Sequence, residues 1–175
     1  MRFIDGLFDM VAKRKEKDSS IVSDTAPDCV YSPAAGKVIP LKELNDGVFS
    51  EGVLGKGCGL ISAEESICAP FDGQVVSIAE TRHAIGLRSN SGIEILIHVG
   101  MDTVEMNGKG FTQTVKVGDQ VKCGQPIMSF SIAEIKSAGH DTTISIVVTN
   151  SNDYEDEKLL AIGLVKRTDQ ILKVI

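Results

Sequence analysis

His83-Ala84-Ile85-Gly86-Leu87-Arg88 and Gly92-Ile93-Glu94-Ile95-Leu96-Ile97-His98-Val99, joined through Ser89-Asn90-Ser91, read as a β-hairpin. The second arm alternates, with Ile93, Ile95, Ile97 and Val99 on one face and Glu94, Leu96 and His98 on the other. Taking Asn90-Ser91 as a two-residue turn sets Ser89 opposite Gly92 and His83 opposite His98. The two histidines then share a face with Cβ atoms about 4.5–5.5 Å apart. A register slip of one residue would separate them and set the isoleucine row against polar partners.

Paired imidazoles can share a metal, form an acid/base couple, or present a nucleophile beside a hydrogen-bond donor; they can also be two stacked rings with no chemistry. The flanking residues favour chemistry. Gly100 lets a backbone or ligand come close to the His98 ring, and Asp102, Thr103 and Glu105 follow it. Thr81, two residues before His83, can hydrogen-bond that ring and fix its tautomer. The third histidine, His140, lies beside Gly139 and Asp141 and reads as a loop residue.

Working outward, the pattern from Tyr31 onward is all-β. Short Val/Ile-rich runs alternate with Gly, Pro, Asn and Asp clusters, as in a single-domain sandwich or barrel. Ser32-Pro33-Ala34-Ala35-Gly36-Lys37-Val38-Ile39 and Ala69-Pro70-Phe71-Asp72-Gly73-Gln74-Val75-Val76 resemble each other, each a Pro-started turn with glycine leading into a strand. Val117–Ile127 sets two glycine turns around a brief strand, the spacing with which small barrels reverse direction. Thr143–Thr149, Ile162–Lys166 and Ile171–Ile175 read as β-runs, and Tyr154–Leu160 as one helical turn. Phe3, Ile4, Leu7, Phe8 and Val11 recur at helical spacing, so residues 1–27 read as a short amphipathic segment with a charged, linker-like tail, and residues 28–175 as the domain proper. The amphipathic run, residues 1–12, could dock on the domain or touch a membrane surface, although its own aspartates oppose anionic lipid.

The chain has 175 residues, 42% of them hydrophobic and 24% charged, the balance of a globular protein with a real core. A net charge of −6 argues against a nucleic-acid footprint, and no apolar run reaches bilayer length. Cys29, Cys58, Cys68 and Cys123 form no C-x-x-C pair, and no histidine lies at finger spacing, so they read as reduced, buried, structural thiols.

Thr81-Arg82-His83-Ala84-Ile85-Gly86-Leu87, Gly92 through Ile97, His98-Val99-Gly100-Met101-Asp102-Thr103-Val104-Glu105 and Gly108-Lys109-Gly110-Phe111 closely resemble the glucose-type IIA proteins and domains of the bacterial phosphoenolpyruvate-dependent sugar phosphotransferase system. The resemblance runs from about Tyr31 to the C-terminus. It implies an all-β sandwich of the duplicated hybrid motif type. It further implies that His98 is phosphorylated by the phosphocarrier protein HPr, that His83 stabilises the phosphoryl oxygens, and that Thr81 orients His83. The acceptor would be a cysteine on a IIB domain, serving sugar entry through a membrane IIC domain. By the same resemblance, Phe49, Val53, Leu54 and Leu96 form an apolar docking ring around the histidines, with Gly100 also in the patch and Asp46, Asp102 and Glu105 as acidic contacts for the donor; ordinary core is the alternative for Val53 and Leu54. Leu96 and Ala79 stand where other members often carry Phe, and His140 where Tyr is common. The implied protein is a cytoplasmic monomer with no cofactor and no metal, in transient contact with the inner face of the plasma membrane.

Two other readings compete. A zinc hydrolase on the same fold needs a His and a carboxylate in one motif and an H-x-H in another, but Leu96 stands two before His98 and no carboxylate closely follows His83. A regulator that chooses partners by phosphorylation state would use the same histidine.

Overall fold

A computed structural model describes residues 21–44 and 46–175. The expected amphipathic run Phe3–Val11 lies outside the described residues. Among the described residues fourteen strands are formed: β1 (Cys29–Tyr31), β2 (Gly36–Pro40), β3 (Lys56–Ser62), β4 (Ser66–Cys68), β5 (Gly73–Ile78), β6 (Ala84–Ser89), β7 (Glu94–Val99), β8 (Phe111–Gln113), β9 (Gln120–Val121), β10 (Pro126–Phe130), β11 (Ile144–Val148), β12 (Glu157–Leu159), β13 (Gly163–Val165) and β14 (Gln170–Val174). A short helix, α1 (Ile132–Ser137), starts where the Ser131 side chain accepts the Glu134 N–H. An eight-stranded sheet runs β13-β2-β3-β11-β7-β6-β5-β9, flanked by the three-stranded sheets β1-β14-β12 and β4-β10-β8. All pairings are antiparallel. The chain is the all-β sandwich expected of it.

The two similar segments are structural counterparts. Gly36 opens β2 and Gly73 opens β5, and a Cβ would lie 2.2 Å from the Ile61 carbonyl oxygen at the first and 2.1 Å from that of Arg88 at the second. Neither site admits a side chain. Each segment also bonds into the other: the Tyr31 N–H reaches Pro70 O at 2.9 Å, and the Cys68 N–H reaches Pro33 O at 2.9 Å. The two glycine turns around β9 are present, with Gly118 at φ 96° and Gly124 at φ 89°.

The core is chiefly aliphatic, with Phe71, Phe111 and Phe130 among its buried residues. Ile85, Leu87, Ile95, Ile97, Ile144 and Ile146 are essentially inaccessible, and the alternation of β7 is as expected, with Ile95, Ile97 and Val99 buried and Glu94, Leu96 and His98 only half so. All four cysteines are buried, and burial pushes the Cys58 and Cys123 thiols up to about 12. The β-runs near the C-terminus are β11, β13 and β14. Tyr154–Leu160 is not a helical turn: it contains β12, which pairs with β14, and the 3-10 turn lies earlier, at Ser151–Asp153. Its Glu-Lys-Leu run is recruited as an edge strand by the C-terminal β14, a pairing that local propensity does not carry. Ahead of β1, the Val22 N–H donates to Cys123 O at 3.0 Å, so the segment read as linker touches the domain at that point.

The hairpin register also needs correcting. The turn holds three residues, Asn90, Ser91 and Gly92, closed by the Ser89 N–H on Ile93 O at 2.8 Å, with Gly92 at φ 101°. His98 therefore faces Ala84, and Ile97 faces Ile85. The slip thought to ruin the isoleucine row is the one that completes it, because Leu87 then meets Ile95 instead of Glu94.

Candidate functional site

On that register a regular strand would set His83 across from Val99, on the core face and away from His98. The rings nevertheless meet, with centroids 4.7 Å apart and planes at 81°. The reason lies just upstream. β6 begins only at Ala84, and Arg82 has φ 62°, so His83 leaves a left-handed turn and is released from strand alternation. Its carbonyl still accepts the Val99 N–H at 2.9 Å.

Each ring is held at one nitrogen. His98 Nδ1 lies 2.8 Å from the Gly100 carbonyl oxygen, which can only accept. Nδ1 therefore carries the proton, and Nε2 keeps its lone pair. Gly100 has φ 78°, and a Cβ there would come within 2.5 Å of Thr103 Cγ2 and 2.8 Å of Asp141 O, so the carbonyl is positioned by a turn that only glycine fits. His83 Nδ1 lies 2.7 Å from Thr81 Oγ1, the contact expected of that pair. Burial, helped by the neighbouring His98, lowers the His83 pKa to about 4. Burial also lowers that of His98, opposed by the Gly100 bond and by the charges of Asp46 and Asp102. Both rings are neutral at pH 7.

The outer face of the large sheet builds the surroundings. Ala84, His98, Ser145, Gly59 and Ile39 form one cross-strand row. Ala84 and Ser145 flank the imidazole with small side chains, and Gly59 leaves room for the chain to cross above, since a Cβ there would meet Ile39 Cγ1 at 2.8 Å. That crossing segment packs Leu41, Leu44 and Phe49 on Ile39 and Val147 as a second small core, with Leu96 and Met101 at its border. The Phe49 ring ends 5.0 Å from that of His98.

The residues expected to form a docking patch fall into two groups. Phe49 is buried, Leu96 half-buried, and Val53 and Leu54 are exposed at 70% and 41%, so the latter two are surface and not core. Gly100 is buried and acts through its carbonyl. Asp102 and Glu105 are exposed, and the Glu105 carboxylate lies 3.8 Å from His140 Nε2. Asp46 is chiefly a loop cap: its carboxylate accepts the Val48, Phe49 and Ser50 N–H groups at 3.0–3.2 Å. Burial raises its pKa, but those bonds outweigh it and hold the group below the ordinary value. The sequence reading missed Ser145, whose buried hydroxyl has no hydrogen-bond partner among the described residues, although alternation along Thr143–Thr149 could have placed it beside His98. A hydrolytic zinc needs three protein ligands, and among the described residues no group of three or more His, Cys, Asp or Glu could hold a metal ion.

Residues 28–154 match the family described as phosphoenolpyruvate-dependent sugar phosphotransferase system, EIIA 1. The chain belongs to that family. It is 41% identical over 151 residues to the PTS system beta-glucoside-specific EIIBCA component of Bacillus subtilis (strain 168), covering 86% of this chain and 25% of the relative. A component with the same description from Dickeya chrysanthemi is 41% identical over 148 residues, 85% of this chain and 24% of the relative. The chain thus spans about a quarter of the length of these curated relatives. The solved structure of glucose permease IIA from Mycoplasma capricolum superposes with a TM-score of 0.72 at 30% identity, covering 82% of this chain and 93% of that one. Membership makes the chain a sugar phosphotransferase-system EIIA domain. Among the described residues no helix is long and apolar enough to cross a membrane.

Proposed function

We propose that His98 is the phosphoryl-accepting nucleophile of this EIIA domain and that residues 28–175 form the working unit. The observation that carries the reading is the Nδ1–H bond from His98 to the Gly100 carbonyl, which leaves Nε2 as the free nucleophilic atom. Nε2 attacks the phosphorus of phospho-HPr in line; the new N–P bond forms as the donor's N–P bond breaks, and the donor imidazole leaves with the electron pair. The phosphoryl group then passes to the thiolate of a IIB cysteine. His83 serves as a neutral donor: with Nδ1 accepting the Thr81 hydroxyl proton, its Nε2–H points to a phosphoryl oxygen, supplying the positioning that phosphoryl transfer chiefly requires. Its pKa of about 4 keeps it in the neutral form throughout the physiological range. The exposed Val53 and Leu54, together with Leu96 and Phe49, form the docking face, and Asp102 and Glu105 attract a basic donor. The two relatives are beta-glucoside-specific, so a IIB unit of that class is the acceptor of choice.

Incubation with phosphoenolpyruvate, enzyme I and HPr is expected to leave an acid-labile, base-stable phosphate on the protein. His98→Ala abolishes it, whereas His83→Ala accepts the group and passes it on poorly. Labelling retained in His98→Ala would reject the assignment.

A further inference from the structure

Neither pairing register nor strand geometry brings His83 to His98; the left-handed turn at Arg82 does. An arginine in that conformation is disfavoured relative to glycine or asparagine, so neighbours must hold it there. Locally the turn closes through the Arg82 N–H on Ala79 O at 2.8 Å and the Ala79 N–H on Ala84 O at 3.0 Å. A side-chain bond also reaches it from another sheet: Gln113 Nε2, on β8, donates to the Arg82 carbonyl at 2.9 Å. The other end of the same amide, Oε1, is buried with no partner among the described residues. A buried acceptor left unsatisfied is costly, and the opposite amide orientation would set two carbonyl oxygens against each other. The amide is therefore anchored by its N–H end alone. Phe111, two residues earlier on the same strand, has its ring centroid 6.4 Å from that of His83, so β8 meets this histidine at its ring and the preceding residue at its carbonyl.

We infer that Gln113 is a positioning residue: by clamping the Arg82 carbonyl it holds the turn that presents His83 to the phosphoryl group on His98. The inference rests on the phosphocarrier reading of the pair, but part of its test does not. Gln113→Glu keeps the shape and loses the donor. At pH 7.5 it is expected to shift the His83 ring nitrogen resonances in the unphosphorylated protein and to slow phosphoryl transfer to IIB about tenfold, as small misplacements of a catalytic group do. His98 remains phosphorylatable. Gln113→Arg, which keeps N–H donors, should restore the rate to within about twofold. Arg82→Gly removes the backbone strain, so in that background Gln113→Glu should lose most of its effect, a coupling that a general packing defect would not produce. The double variant also gives the answer if Gln113→Glu alone folds poorly. Unchanged His83 resonances in Gln113→Glu, or equal damage from Gln113→Arg and Gln113→Glu, would overturn the inference. Labelling that persists in His98→Ala would instead overturn the phosphocarrier reading and leave the resonance result standing.

Discussion

The two faces of the central sheet follow different rules. On the inner face Ile85 meets Ile97, Leu87 meets Ile95 and Ile97 meets Ile146, large branched side chains against their like. On the outer face Ala84, His98, Ser145 and Gly59 stand in one row, with small side chains on both sides of the histidine. Burial on the inner face stabilises the molecule and tolerates little loss of volume. The outer face gives up such burial to leave room for an imidazole and for the segment that carries Phe49 to it. On the phosphocarrier reading proposed above, adjacent residues of one strand, Ile97 and His98, contribute to stability and chemistry separately.

Substitutions at these neighbours should have opposite consequences. His98→Ala is expected to abolish phosphoryl labelling while leaving the urea midpoint near that of the native chain. Ile97→Ala should cost about 2–5 kcal/mol of stability and, below its lowered melting point, retain labelling. Equal loss of both properties in both variants would erase the distinction between faces. Gly59→Val tests the space above the outer row. Its branched side chain would collide with Ile39 and Leu44, displace the Phe49 segment and weaken partner affinity by about tenfold, or roughly 1.4 kcal/mol. Affinity measured by titration calorimetry, unchanged in this variant, would show the crossing segment to be dispensable.

pH gives a gentler probe. His83 has a folded-state pKa of about 4, below its ordinary 6.5, so between these values the unfolded chain binds more protons than the native one. Stability is therefore full above about pH 6.5 and declines as pH falls toward 4. Urea midpoints across this range should show the decline, and His83→Gln should flatten part of it; an identical slope in both proteins would place the titration elsewhere. The smallest effect is expected far from either face: Ser131→Ala, which removes the α1 cap, should cost about 0.5–2 kcal/mol in the same urea titration without altering labelling.

The inner face was legible in the sequence because alternation in β7 and β11 is a property of the chain itself. The outer face was only partly so. Strand period assigned His98 to its face, and Gly100 was singled out for close approach, yet its contribution is a carbonyl aimed at Nδ1. The His83–His98 meeting was expected for an incorrect reason: a two-residue turn was assumed, whereas a three-residue turn and a left-handed Arg82 produce the same encounter. Val53 and Leu54 left core and surface equally open, because their fate depends on a segment crossing the sheet, which no short window of sequence contains. Gln113 carried no signal at all, since its partner lies 31 positions away, in the turn between β5 and β6.

The partner of His98 Nδ1 belongs to the main chain. Exchange of the side chains that touch the ring would leave this acceptor in place, and the imidazole would still offer the same atom outward, because the choice between its two nitrogens is written in the path of the polypeptide.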